Sequence, residues 1–132
     1  MKNILCALLA VGLSSMAATA QTKALASVKI STPSVQCEMC KNRIEQYLKR
    51  IDGVTYVNVA VRKKETAVKF LNDRTNIEMI KTSLANAGYD VAKPKTDAAA
   101  ETEIEIAANP DSYKLLPKCC KKPEDGGGMQ KQ

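Results

Sequence analysis

Between Ala26 and Lys93, six short segments follow one another with hydrophobic periods of either two or 3.6 residues, and their order limits the fold more than any other feature of the chain. Ala26 to Thr32 (ASVKIST) alternates, with Val28 and Ile30 on one face, which predicts a half-buried strand. From Cys40 the apolar residues recur at Ile44, at Tyr47 or Leu48, and at Ile51, which is helical spacing, and Asp52-Gly53 supplies the stop. Val54 to Val61 alternates again through Val57, Val59 and Val61, and Lys64 to Leu71 does so through Val68 and Phe70. The short Arg62-Lys63-Lys64 link between these two predicts an antiparallel hairpin. Thr75-Asn76-Ile77-Glu78 has the form of a capping box for a second helix striped by Ile77, Ile80, Leu84 and Ala87 and ended by Gly88. Tyr89 to Lys93 is a short fourth strand. The order β-α-β-β-α-β predicts an α+β, ferredoxin-like sandwich: two helices on one face of a four-stranded antiparallel sheet, followed by a C-terminal extension.

The flanks divide the rest. Residues 1–20 read as a cleaved signal peptide: MKN gives a positive start, ILCALLAVGLSSMA is too short to span a bilayer comfortably, and Ala18-Thr19-Ala20 offers a cleavage site before Gln21. Cys6 leaves with the leader. A retained anchor is the competing reading, and the brevity of the apolar run weighs against it. Export to the periplasm or outside the cell is therefore expected, with no integral membrane segment after cleavage. Residues 26–93 form the predicted domain. Residues 94–108 read as a linker, although Ile104 and Ile106 are compatible with a marginal extra strand. Residues 109–132 form a Cys-Cys-containing tail, in which Asn109-Pro110-Asp111 opens one or two helical turns and KKPEDGGGMQKQ is expected to be mobile. The formal charge is +6, but the lysines are scattered and aromatic residues make up only 4% of the chain, a pattern that excludes a nucleic-acid stripe.

Chemistry is concentrated in the cysteines. Four remain after the leader, Cys37, Cys40, Cys119 and Cys120, and histidine is absent, which disfavours both a hydrolase triad and a His-containing zinc site. No catalytic residue or enzymatic activity is expected. Cys37 precedes the first helix and Cys40 lies in or near its first turn, where unpaired backbone N–H groups and the helix dipole favour thiolates. Two thiolates on one exposed turn make a clamp for a soft ion. Two other readings use the same pair. A thiol-disulfide oxidoreductase needs CxxC near a helix start, but the split element order and the Glu38-Met39 insert do not match that setting. A structural disulfide, within the pair or to the tail, suits an exported chain, but a bond across so small a loop stabilises little.

The element order, the CxxC before the first helix and the Ala87-Gly88-Tyr89-Asp90 turn together resemble the heavy-metal-associated domain of copper chaperones, copper-transporting ATPase amino-terminal domains and the periplasmic mercury-binding protein. The resemblance implies that Cys37 and Cys40 are the metal ligands and that Tyr89 occupies an aromatic position near the metal loop. Ser34-Val35-Gln36 departs from the family's Gly-Met-Thr lead-in, with Val35 able to supply the apolar packing of that methionine. Cu(I) is the foremost expected cargo, and Hg(II), Zn(II) and Cd(II) satisfy the same softness rule. The implied partner is a metal-transporting membrane protein or another cysteine-bearing domain, with Lys41, Arg43 and Lys49 available to steer it unless they are simply solvated. Met39 has a thioether that can either approach the ion or pack on the domain. Adjacent Cys119 and Cys120 rarely bond to each other. If Leu115 and Leu116 dock the tail, they join Cys37 and Cys40 in a three- or four-sulfur site; otherwise they pair with another chain or with the CxxC.

Overall fold

The computed structural model describes residues 24–93 and 103–128, so the leader and most of the predicted linker lie outside the described residues. Strands β1 (Leu25–Ser31), β2 (Val54–Ala60) and β3 (Glu65–Leu71), helices α1 (Glu38–Leu48) and α2 (Ile77–Asn86), and the two-residue β4 (Val91–Ala92) appear in the expected order. All strand pairings are antiparallel, with β2-β3-β1-β4 as the sheet order of a ferredoxin-like sandwich.

The alternation seen in the sequence decides which side chains enter the core. Val57 and Val59 of β2, Thr66, Val68 and Phe70 of β3, and Ile30 of β1 are all buried beneath the helices. On α1 the choice between Tyr47 and Leu48 falls to Leu48: Cys40, Ile44 and Leu48, at successive i, i+4 steps, form the buried row, while Tyr47 faces solvent. Ile80 and Leu84 of α2 complete the layer. Val61 falls in the β2–β3 turn and is only half-buried.

Two expectations shift. The cap of α2 is Asn76, whose Oδ1 accepts from Met79 N–H at 2.9 Å, and Thr75 is a buried residue one step earlier. Glu78 reaches Lys81 instead of returning to a cap, so the reciprocal box is not formed. A fifth strand, β5 (Ile104–Ile106), also adds to the free edge of β4. Three residues carry too little alternation to mark a strand, and β5 depends on side-chain ties: Lys81 Nζ to Glu105 at 2.7 Å and Lys93 Nζ to Glu103 at 2.7 Å.

Gly88 ends α2 with φ +96°, a conformation that favours glycine, and a Cβ there would meet Ser112 and Tyr113 backbone atoms at 3.1–3.2 Å. Its bare α-carbon lets a third helix, α3 (Pro110–Lys114), lie directly on the turn. Removing the Ile44 side chain from the α1 row is expected to cost about 2–5 kcal/mol, whereas Tyr47→Ala should cost less than about 1 kcal/mol. Denaturant unfolding of the two variants checks this ordering.

Candidate metal centre

Cys37 is the N-cap residue of α1, in extended backbone conformation, and Cys40 is the third residue of the helix. Their three-residue separation brings Cys37 Sγ and Cys40 Sγ to 3.3 Å on one side of the turn. The i, i+4 row that buries Ile44 and Leu48 also aims Cys40 inward, where it is fully buried, and Cys37 is buried as well. The exposed clamp expected from the sequence is therefore a covered one. Its cover is the C-terminal tail.

The tail reaches the site by a determined path. Asn109 caps α3 through Oδ1, accepting from Asp111 and Ser112 N–H, and Pro110 occupies the first turn, where a missing N–H costs nothing. Leu116 then enters the core, while Leu115 stands 77% exposed, so one of the two expected anchors docks and the other does not. Pro117 ends the turn, and a 3-10 turn, Lys118–Cys120, lays its sulfurs over the CxxC. Cys120 Sγ lies 2.6 Å from Cys40 Sγ and 3.8 Å from Cys37 Sγ, and Cys119 Sγ lies 2.9 Å from Cys37 Sγ. All four are free thiols. Cys37, Cys40 and Cys120 are buried with their sulfurs within 4.8 Å of one another. Cys119 is half-buried at the rim, 3.9 Å from Sδ of the exposed Met39.

The segment beyond the cysteines folds back over the domain as far as Gly128, and its last four residues lie outside the described residues. Lys122 Nζ reaches Asp90 Oδ2 at 2.7 Å, and Gln36 Nε2 donates to the Lys121 carbonyl at 2.9 Å. A Cβ on Gly127 would fall 2.2 Å from that same carbonyl, so the residue must be glycine for the chain to pass. Asp90 is itself buried, and its Oδ1 accepts from Ala108 N–H. Ser34 Oγ accepts from Asp90 N–H, joining the loop before Cys37 to the same carboxylate residue, and Val35 beside it is fully buried.

Cys37, Cys119 and Cys120 differ in how readily they ionise. Burial opposes ionisation of Cys37, but hydrogen bonds from Cys119, from the Cys40 backbone N–H and from the other two thiols outweigh it and hold its pKa below that of a free thiol. Cys119 is raised by its hydrogen bond with Cys37 and by partial burial, and Cys120 is raised strongly by burial and by its contact with Cys40. Cys37 is thus readier to meet a cation as a thiolate than either tail cysteine. The Tyr89 hydroxyl is fully buried with no hydrogen-bond partner among the described residues. Burial and the neighbouring charges of Cys120 and Cys40 raise its pKa.

Of the three basic residues considered for steering, Lys41 is half-buried and paired with Glu38 at 3.5 Å, and Arg43 and Lys49 are exposed. Sequence reasoning missed Ser34, Gln36, Asp90 and Lys122. Each is an ordinary polar residue, and only the fold brings them within reach of one another. Asp90→Ala would leave Lys122 and the Ala108 N–H without their acceptor, and it is expected to cost about 2–3 kcal/mol. Limited trypsin digestion should then cut after Lys118 and Lys121 faster than in the parent chain.

The profile of the heavy-metal-associated domain family matches residues 29–90. Curated relatives agree over the same half of the chain. The COP-associated protein of Helicobacter pylori (strain J99) is 34% identical over 64 residues, which is 48% of this chain and 96% of that protein. The copper chaperone CopZ of Staphylococcus haemolyticus is 31% identical over 47% of this chain and 91% of its own length. The mercuric transport protein periplasmic component of Pseudomonas fluorescens is 30% identical over 48% of this chain and 69% of its own. Cys119 and Cys120 lie beyond the family match. With nearly the whole of a 34%-identical relative aligned and a ferredoxin-like sandwich carrying its CxxC on the first helical turn, the chain belongs to the heavy-metal-associated domain family.

Proposed function

We propose that this protein is an exported, non-enzymatic binder of soft metal ions, acting in metal trafficking or detoxification, with Cys37 and Cys40 as the thiolate clamp and Cu(I) as its foremost cargo. The observation that carries this is the convergence of the Cys37 and Cys40 sulfurs at 3.3 Å on the first turn of α1. Soft sulfur donors select Cu(I), Hg(II), Zn(II) and Cd(II) over hard cations, and the names of the relatives, one a copper chaperone and one a mercuric transport protein, fall within that range. The positive end of α1 offsets part of the thiolate charge, and the neighbouring hydrogen bonds favour the Cys37 thiolate.

Residues 1–20 act as the leader, cleaved after Ala20, and deliver the chain to the periplasm or the cell exterior. No helix among the described residues is long and apolar enough to cross a membrane. Residues 26–93 constitute the binding domain, and the extension after it is taken up below. The partner is a metal-transporting membrane protein or a second cysteine-bearing domain that meets the loop face, with the exposed Arg43 of α1 available to attract acidic groups.

Metal analysis of reduced protein should give one Cu(I) per chain for the parent and essentially none for Cys37→Ser/Cys40→Ser. A double variant that binds as well as the parent would overturn the assignment. Affinity should fall as pH drops from 8 to 6, by up to about tenfold per pH unit for each thiol that must lose its proton on binding. Competition titration against a chromophoric Cu(I) chelator at several pH values measures that slope.

A further inference from the structure

A metal-transfer clamp works by leaving its two sulfurs open to an incoming pair. In this chain the space above them is filled by the chain itself. Cys120 is fully buried against Cys40 and Cys37, and the turn that carries it is fastened at several independent points: Leu116 in the core, Lys122 on the buried Asp90, Gln36 on the Lys121 carbonyl, and Asn109 N–H on the Ala85 carbonyl at 2.8 Å. Two glycines, Gly88 beneath α3 and Gly127 against Lys121, leave room for that path where any side chain would obstruct it. A passing tail would need none of this.

We propose that Cys120 is a third sulfur ligand, delivered by the tail, so that the protein retains a soft ion beneath a closed cap and gives it up only when the tail lifts. The proposal rests on the reading of Cys37 and Cys40 as ligands. A planar three-sulfur shell with metal–sulfur bonds of about 2.3 Å has edges of about 4 Å. The Cys37–Cys120 edge, at 3.8 Å, is already close to this, while the Cys37–Cys40 edge at 3.3 Å and the Cys40–Cys120 edge at 2.6 Å must open. Both changes are small movements of side chains on the first turn of α1 and on a 3-10 turn. Three thiols that each lose a proton leave two net negative charges around Cu(I). Lys118 and Lys121 flank the tail cysteines, and the buried Tyr89 hydroxyl lies beside Cys120 and Cys40 as a further donor. Cys119, half-buried beside Met39, is the thiol left at the rim, where an acceptor's sulfur first makes contact.

Tethering places the third ligand at an effective concentration in the millimolar range, so its removal should speed release roughly tenfold or more. The test loads the mature chain with one equivalent of Cu(I) under anaerobic conditions, counts coordinating sulfurs by X-ray absorption, and times transfer to an excess of a chromophoric Cu(I) chelator. The parent chain and Cys119→Ser should show three sulfurs, and Cys120→Ser two sulfurs with faster release. Gln36→Ala/Lys122→Ala, which keeps every cysteine and loosens only the cap, should also release faster than the parent. Two sulfurs in the parent, or parental release from both Cys120→Ser and the loosened cap, would overturn the capped site while leaving the clamp intact. Full retention of the ion by Cys37→Ser/Cys40→Ser would instead remove the clamp on which the cap depends.

Discussion

A buried carboxylate must find partners for both its oxygens, and in this protein Asp90 finds them in segments far apart in sequence. One oxygen accepts from Ala108 beyond β5, the other from Lys122 beyond the cysteine turn, and the Asp90 N–H is taken by Ser34 in the loop that leads into Cys37. The metal loop, the last strand of the family domain, the added strand and the tail therefore meet at one residue. Lys122 responds to the same pairing: its hydrogen bond to Asp90 holds the ammonium above the ordinary lysine range despite partial burial. The extension thus encloses the carboxylate and joins the tail to the domain at a buried residue.

The second constraint is the row Cys40-Ile44-Leu48. Helical spacing makes Cys40 a core position as well as a site position, so its sulfur points towards the layer between helices and sheet and not outward. A thiol in that place gains little from water, and the neighbours that compensate it are other sulfurs. The site is thus an apolar pocket containing polarisable atoms, suited to soft cations and poorly suited to hydrated hard ones.

Much of this was legible in the sequence where a pattern ran long enough to repeat. Val57, Val59, Val68 and Phe70 alternate through whole strands and are buried as that alternation requires. The pairing of Cys37 with Cys40 follows from their spacing and the helix after them. Features set by a few residues were not legible. Asn76 and Thr75 are both good caps, and only the path of the chain selects Asn76. Leu115 and Leu116 are equivalent in composition, and their separation into exposed and buried depends on the angle at which α3 meets Gly88. The burial of the cysteines was hidden because it comes from a segment about eighty residues away. One sign was present: the helical row Ile44-Leu48, extended back one step, already includes Cys40.

β5 has an effect of its own on how copies of this protein meet. An open sheet edge presents free N–H and C=O groups to any extended chain that arrives. Here that margin of the sheet is occupied by three residues, with Glu105 at their centre and Glu103 just before them, too short and too charged to template a neighbour's strand. The extension that carries the second pair of cysteines thereby also protects the molecule against polymerisation from that side.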